Sequence, residues 1–130
     1  MKRVMSTMRP RGFTLIELLV VMAILGLLLS YIAPRYFGAV TRAEEAALRQ
    51  NLFQMRDAID KFYGDRLRYP NDLNELVSSH YLRSIPPDPI TKRANTWVVI
   101  TPKTNTSGKV ADVRSGAPGR SNEGSDYATW

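Results

Sequence analysis

The sequence predicts an α+β protein. One long N-terminal helix, half of membrane length and half amphipathic, packs against a small C-terminal domain with a short helix and a small antiparallel β-sheet. Three observations carry this prediction. An apolar run from Phe13 to Ala33 has only Thr14, Glu17 and Ser30 as polar residues. Beyond it, Leu48, Leu52, Met55, Ile59 and Phe62 recur at steps of four, three, four and three, which is one stripe along a helix. The remainder is rich in Pro, Gly, Ser and Asn around two short β-branched runs, which suits turns and a few strands.

The boundaries follow from these changes in pattern. Residues 1–12 are a basic leader, 13–33 the membrane half of the helix, 34–64 its amphipathic half, and 65–130 a single small domain. A helix of the length of 13–33 rises about 31 Å, enough to cross a hydrocarbon core of about 30 Å. A conventional secretory signal fits poorly. A cut after Ala33 would place Tyr31 three residues back and Pro34 directly after the bond. The net charge is +6, but Lys2, Arg3, Arg9 and Arg11 precede the run with no acid among them, so the chain without residues 1–12 carries only +2. A basic flank before an apolar span is held on the cytoplasmic side. The domain after the span is then expected on the far side of the membrane.

Past the membrane half, Ala39 to Leu48 is rich in strong helix formers. Arg49, Gln50, Arg56, Asp57, Asp60 and Lys61 fill the faces away from the apolar stripe, and Gly64 is the expected helix stop. Pro34 removes the amide that would bond the Ser30 carbonyl. With Gly26 and Gly38 on either side, a kink or local melting is expected there, either as a bend at the membrane exit or as a section that stretches when helices bundle.

In the C-terminal domain, Asn71 or Asp72 caps a short helix, and Asp72 with Glu75 has capping-box spacing. Leu73, Leu76 and Val77 form its apolar side, and it should end near Ser78 or Ser79. Tyr81 and Leu82 turn inward before the Pro-rich turn at 85–89. Trp97–Thr101 and Val110–Val113 read as strands flanking a polar loop, Pro102 to Gly108. The tail from Ser115 needs pinning. Either Trp130 packs back, or Glu123 and Asp126 hold a cation. Asp112, Asn122, Glu123 and Asp126 are oxygen donors of the kind that suits Ca²⁺.

Catalysis is not expected. The absence of cysteine excludes thiol chemistry and Cys-ligated metals, and His80 is the single histidine, read as structural. The sequence holds no G-x-S-x-G, no H-E-x-x-H and no phosphate-binding Gly loop. Arg66, Arg68, Arg83, Lys92, Arg93 and Trp97 are the residues that could make a basic, aromatic face for nucleic acid, but they are scattered, so nucleic acid is not an expected partner.

The residue that asks for an explanation is Glu17. A carboxylate near the start of a membrane-length helix costs several kcal/mol unless it is neutralised. A cut between Gly12 and Phe13 would create an ammonium one helical turn before it. That amine, on the same chain or on a neighbour, is a suitable counter-ion.

Arg11-Gly12-Phe13-Thr14-Leu15-Ile16-Glu17-Leu18-Leu19-Val20-Val21, with Pro34 further on, closely resembles the class III leader of type IV pilins and type II secretion pseudopilins. Phe62-Tyr63, Arg68-Tyr69-Pro70, Leu73-Asn74-Glu75-Leu76, Tyr81-Leu82, Ile85-Pro86-Pro87-Asp88-Pro89, Ser115-Gly116 and the ending from Asp126 to Trp130 resemble the major pseudopilin within that group. The resemblance implies cleavage after Gly12 by a prepilin peptidase, methylation of the Phe13 amine, and pairing of Glu17 with a neighbouring N-terminus in a helical filament. It implies an inner-membrane subunit with its domain in the periplasm. The implied partners are further copies of itself, minor pseudopilins, the peptidase, and an inner-membrane assembly platform with its ATPase. The alternatives are a type IV pilus pilin serving adhesion, motility or DNA uptake, and a monomeric membrane-tethered adaptor. The resemblance also implies calcium at the tail, with Asp126 at a family ligand position; Glu123, from the loop's own oxygen donors, is the second candidate ligand. Two departures stand out. Ile90-Thr91-Lys92-Arg93 replaces a stretch that usually carries Trp and Gly, and Gly119-Arg120 follows Pro118 where an acid is usual.

Overall fold

A computed structural model describes residues 11–130. The basic residues Lys2, Arg3 and Arg9 of the leader lie outside the described residues. The elements in order are α1 (Leu15–Arg66), α2 (Leu73–Ser78), β1 (Val98–Ile100), β2 (Asp112–Arg114) and a closing 3-10 turn, Tyr127–Thr129. The chain divides into two compact units, one ending at Gly38 and one covering Ala39–Trp130.

In the first unit, α1 is apolar on every face and exposed along its length; Leu15 is 77% and Leu27 72% accessible. Among the described residues it is the one helix long and apolar enough to cross a membrane. A helix apolar all round needs an apolar surrounding. Pro34 lies within the helix, yet the backbone is α-helical without a break from Gly26 to Gly38. The local melting offered as one outcome by the sequence is thus absent from this conformation. Proline costs the ladder one amide, and the turns on both sides remain bonded. Ser30 donates its hydroxyl to the Leu27 carbonyl at 2.8 Å, a back-bond within the preceding turn.

The second unit is organised by the amphipathic half of α1. Leu48, Leu52, Met55, Ile59 and Phe62 are buried, as their spacing predicts, together with Ala58 and Glu45. The apolar residues among them share one core with Leu73, Leu76, Trp97, Val110, Val113, Ala117 and Tyr127. Each such aliphatic or aromatic side chain contributes about 1.5–3 kcal/mol when fully buried.

The helix passes Gly64 and ends after Arg66, two residues beyond the expected boundary at residue 64. Leu67, not Gly64, takes the left-handed conformation at φ 54°, and its amide bonds the Tyr63 carbonyl at 2.8 Å. Side-chain contacts explain the extension. Phe62 meets Tyr81 edge to face at 5.3 Å, Tyr63 stacks on Tyr69 at 4.6 Å, and the Arg66 guanidinium lies 5.0 Å from the Phe62 ring. These contacts hold the last turn helical across a residue that favours a stop.

Asp72 caps α2 by accepting the Glu75 amide at 2.8 Å. The return bond of the box is shifted by one residue: Glu75 accepts from the amide of Asn71, at 2.6 Å. β1 and β2 pair antiparallel, with Val98 opposite Arg114 and Ile100 opposite Asp112. Both strands are shorter than expected, because their flanking residues bond outside the sheet. Trp97 turns inward and donates its Nε1 to the Pro86 carbonyl at 2.8 Å. The Val110 amide goes to the Pro70 carbonyl at 3.0 Å, not to the ladder. Gly108, at φ 101°, lies so close to the Tyr69 carbonyl that a Cβ there would overlap it.

Candidate processing and assembly site

The site is built on the N-terminal turn of α1. Arg11 to Thr14 are non-helical and exposed, and the helix begins at Leu15. The Gly12–Phe13 bond therefore lies in exposed, non-helical backbone just before the helix. Phe13 is 85% accessible, and Gly12 has nothing within 4 Å of where a Cβ would stand.

Thr14 sets the start of the helix. Its Oγ1 accepts the Glu17 amide at 3.2 Å, as an N-cap does. The signal for this role is Thr14-x-x-Glu17, which has capping-box spacing. It places Glu17 in the first turn, where the positive end of the helix dipole favours a carboxylate by about 0.3–1 kcal/mol. That is a small fraction of the cost of carrying the charge into apolar surroundings. Among the described residues no cation is paired with the Glu17 carboxylate. Arg11, Gly12, Phe13 and Glu17 line one surface cleft of about 360 Å³. The Gly12–Phe13 bond and the acid thus share one small surface.

The tail residues singled out for calcium are arranged differently. Glu123 accepts from Arg49 Nη2, Asp126 from Arg120 Nε and Asp112 from Arg56 Nε, each at 2.9 Å. Among the described residues no three His, Cys, Asp or Glu side chains group closely enough to hold a metal ion. The Trp130 alternative is realised in the structure. Its ring meets Tyr127 edge to face at 5.3 Å and lies 4.3 Å from the Arg49 guanidinium. The basic residues considered for nucleic acid do not assemble with an exposed aromatic platform. Trp97 is buried, Arg68 pairs with Glu75, and Lys92 pairs with Glu44 at 2.6 Å.

Two loop-organising acids are not singled out by the sequence. Glu45 and Asp88 are both buried, and both organise loops. Glu45 precedes Leu48 by three residues and so falls on the apolar stripe, which is the signal that marks it. Burial and the Glu45 carboxylate together raise the Tyr127 pKa above its ordinary value.

An apolar single-span helix, a capped Glu17 in its first turn and an open Gly–Phe bond before it define a prepilin-type membrane subunit. The pattern described as the prokaryotic N-terminal methylation motif matches residues 7–33. The type II secretion system core protein G of Klebsiella pneumoniae is 34% identical over 62% of this chain and 69% of that protein. The protein of the same name from Aeromonas hydrophila is 27% identical over 97% of this chain and 96% of its own length. The type IV major pilin protein PilA of Myxococcus xanthus is 35% identical over 52% of this chain but only 31% of its own length. No solved structure matches the chain significantly. The chain belongs to the type II secretion system core protein G family, and it is a pseudopilin, a structural subunit.

Proposed function

We propose that the chain is a subunit that polymerises through α1 into a periplasmic pseudopilus driving protein secretion. It waits in the inner membrane with its leader in the cytoplasm and its C-terminal domain in the periplasm, in the orientation the basic flank favours. A prepilin peptidase cuts between Gly12 and Phe13 and methylates the new amine. The apolar half of α1 then leaves lipid and packs among sister helices, starting from minor pseudopilins on an assembly platform with its ATPase.

Exchange of lipid contacts for protein contacts gives little net drive, because both are apolar. Selectivity then falls to the one polar pair. The Phe13 ammonium of one copy against Glu17 of the next fixes the axial register, and a desolvated pair of this kind specifies alignment more reliably than it stabilises. The supporting observation is the shared cleft of Gly12, Phe13 and Glu17, with Thr14 holding the acid on the first turn. The subunit has no catalytic role in this scheme.

Mass spectrometry of the native protein tests the reading. The expected N-terminus is methylated Phe13, and an isolated chain that retains residues 1–12 in the assembled filament would refute it.

A further inference from the structure

We infer that the C-terminal loop, residues 119–130, is closed by Glu45 of α1, with arginine side chains neutralising the nearby acids in place of the cation that the resemblance implies. The donor chemistry points this way. Calcium takes about six to eight oxygens at close range. Here each acid that could serve already faces a guanidinium: Asp126 faces Arg120, Glu123 faces Arg49, and Asp112 faces Arg56. The guanidinium at each carboxylate competes with a divalent cation for the same oxygens. Arg120 stands two residues after Pro118, where the family resemblance leads one to expect an acid.

Closure comes from another acid. Glu45 is 8% accessible, and its Oε1 accepts both the Asn122 amide and the Tyr127 hydroxyl, each at 2.9 Å. One buried oxygen thus gathers the backbone at 122 and the side chain at 127, which is the work a bound ion would do. The turn between them is bonded internally, with the Ser121 amide on the Ser125 carbonyl at 2.8 Å and the Gly124 amide on the Ser121 carbonyl at 2.9 Å. Trp130 covers it, donating Nε1 to Ser125 Oγ at 2.8 Å. The arginine pairs are exposed, so each contributes little energy. Their role is to neutralise the loop's acids without a metal, while the buried Glu45 bonds hold the loop.

The test uses the full chain in detergent. Thermal unfolding in excess calcium and in chelator is expected to give the same Tm. A cation present at a hundredfold excess over its Kd would raise Tm by on the order of 10 °C, and such a rise would overturn the inference. Hydrogen exchange across residues 119–130 reads the closure itself. Protection is expected with or without calcium in the native sequence. Glu45→Ala should speed exchange of the loop roughly tenfold while leaving the Leu52 region protected, and Glu45→Gln, which keeps an acceptor, should retain most of the protection. A loop that stays protected in Glu45→Ala, or that gains protection only on adding calcium, would sink the idea. If Glu45→Ala does not fold, Tyr127→Phe removes one donor alone: faster loop exchange supports the inference, and unchanged exchange overturns it.

Discussion

Ser115 donates its hydroxyl to Asp88 Oδ2 at 2.6 Å, joining the Pro-rich turn to the segment after β2 across 27 residues of sequence, with both side chains buried. The other Asp88 oxygen accepts the amides of Ile90 and Thr91 at 2.8 and 3.3 Å. The carboxylate is therefore fully served, which is the condition for tolerating it in a core. Ser115→Ala removes one donor and leaves a buried oxygen without its partner. A loss of about 1–3 kcal/mol in chemical denaturation of the full chain is expected. A loss under about 0.5 kcal/mol would mean that water or another donor replaces the hydroxyl.

Two glycines should respond to alanine with opposite signs. Gly64 lies in the helix interior, and a methyl group added there would meet nothing within 4 Å, so Gly64→Ala should stabilise by about 0.5–1 kcal/mol. Gly108 combines φ 101° with a collision against the Tyr69 carbonyl, so Gly108→Ala should destabilise by more than about 1 kcal/mol. Paired thermal melts settle both signs in one experiment.

Much of this is legible in the sequence because it is periodic. The stripe Leu48, Leu52, Met55, Ile59, Phe62 announces its own burial, and Asp72-x-x-Glu75 announces a cap. The apolar run from Phe13 and the isolated Glu17 are equally local signals. What stays hidden depends on residues far apart in sequence. The helix end at Arg66 is decided by the contacts of Phe62 with Tyr81 and of Tyr63 with Tyr69, which override the local preference of Gly64. The strands are shortened by Pro70 and Pro86, whose carbonyls draw on Val110 and Trp97. The stripe places Glu45 on the buried face, but its role stays hidden because its partners, Asn122 and Tyr127, lie 77 and 82 positions away.

Arg68 bonds Glu75 and lies 5.0 Å from the Phe62 ring, tying the segment after α1 to α2. The hydrogen bond from Arg68, followed by that from the Asn71 amide, lowers the Glu75 pKa. A depressed carboxyl pKa contributes stability that is present above the unfolded value, about 4.5, and is lost as pH falls through the folded value. Native stability should therefore drop on acidification below that point. Arg68→Gln should flatten this part of the profile while leaving the neutral-pH fold intact. An unchanged acid limb in the variant would show that other carboxyls set it.

Gly12 stands at the proposed cleavage site with open space around it. A bulky replacement such as Gly12→Leu adds a side chain where a peptidase must close on extended backbone. Cleavage should fail, and the chain should run on a gel with residues 1–12 retained while the C-terminal domain folds normally. Normal processing of the variant would place the cut elsewhere.

Glu17→Ala separates processing from assembly. The substitution leaves the Gly12–Phe13 bond in the same open backbone, and Thr14 can still cap α1 through the backbone amide of residue 17. Cleavage and methylation are therefore expected to continue. In the filament core, however, each Phe13 ammonium would be buried without its carboxylate. An uncompensated buried charge costs on the order of 3–5 kcal/mol, a factor of about 10² to 10⁴ in the affinity of each addition. The expected result is mature subunit that remains in the membrane fraction, with no filaments by electron microscopy and no cross-linked ladder. Glu17→Asp keeps the charge on a shorter arm and should restore part of the assembly. Filaments of normal length and number from Glu17→Ala would show that the apolar faces of α1 set the register by themselves.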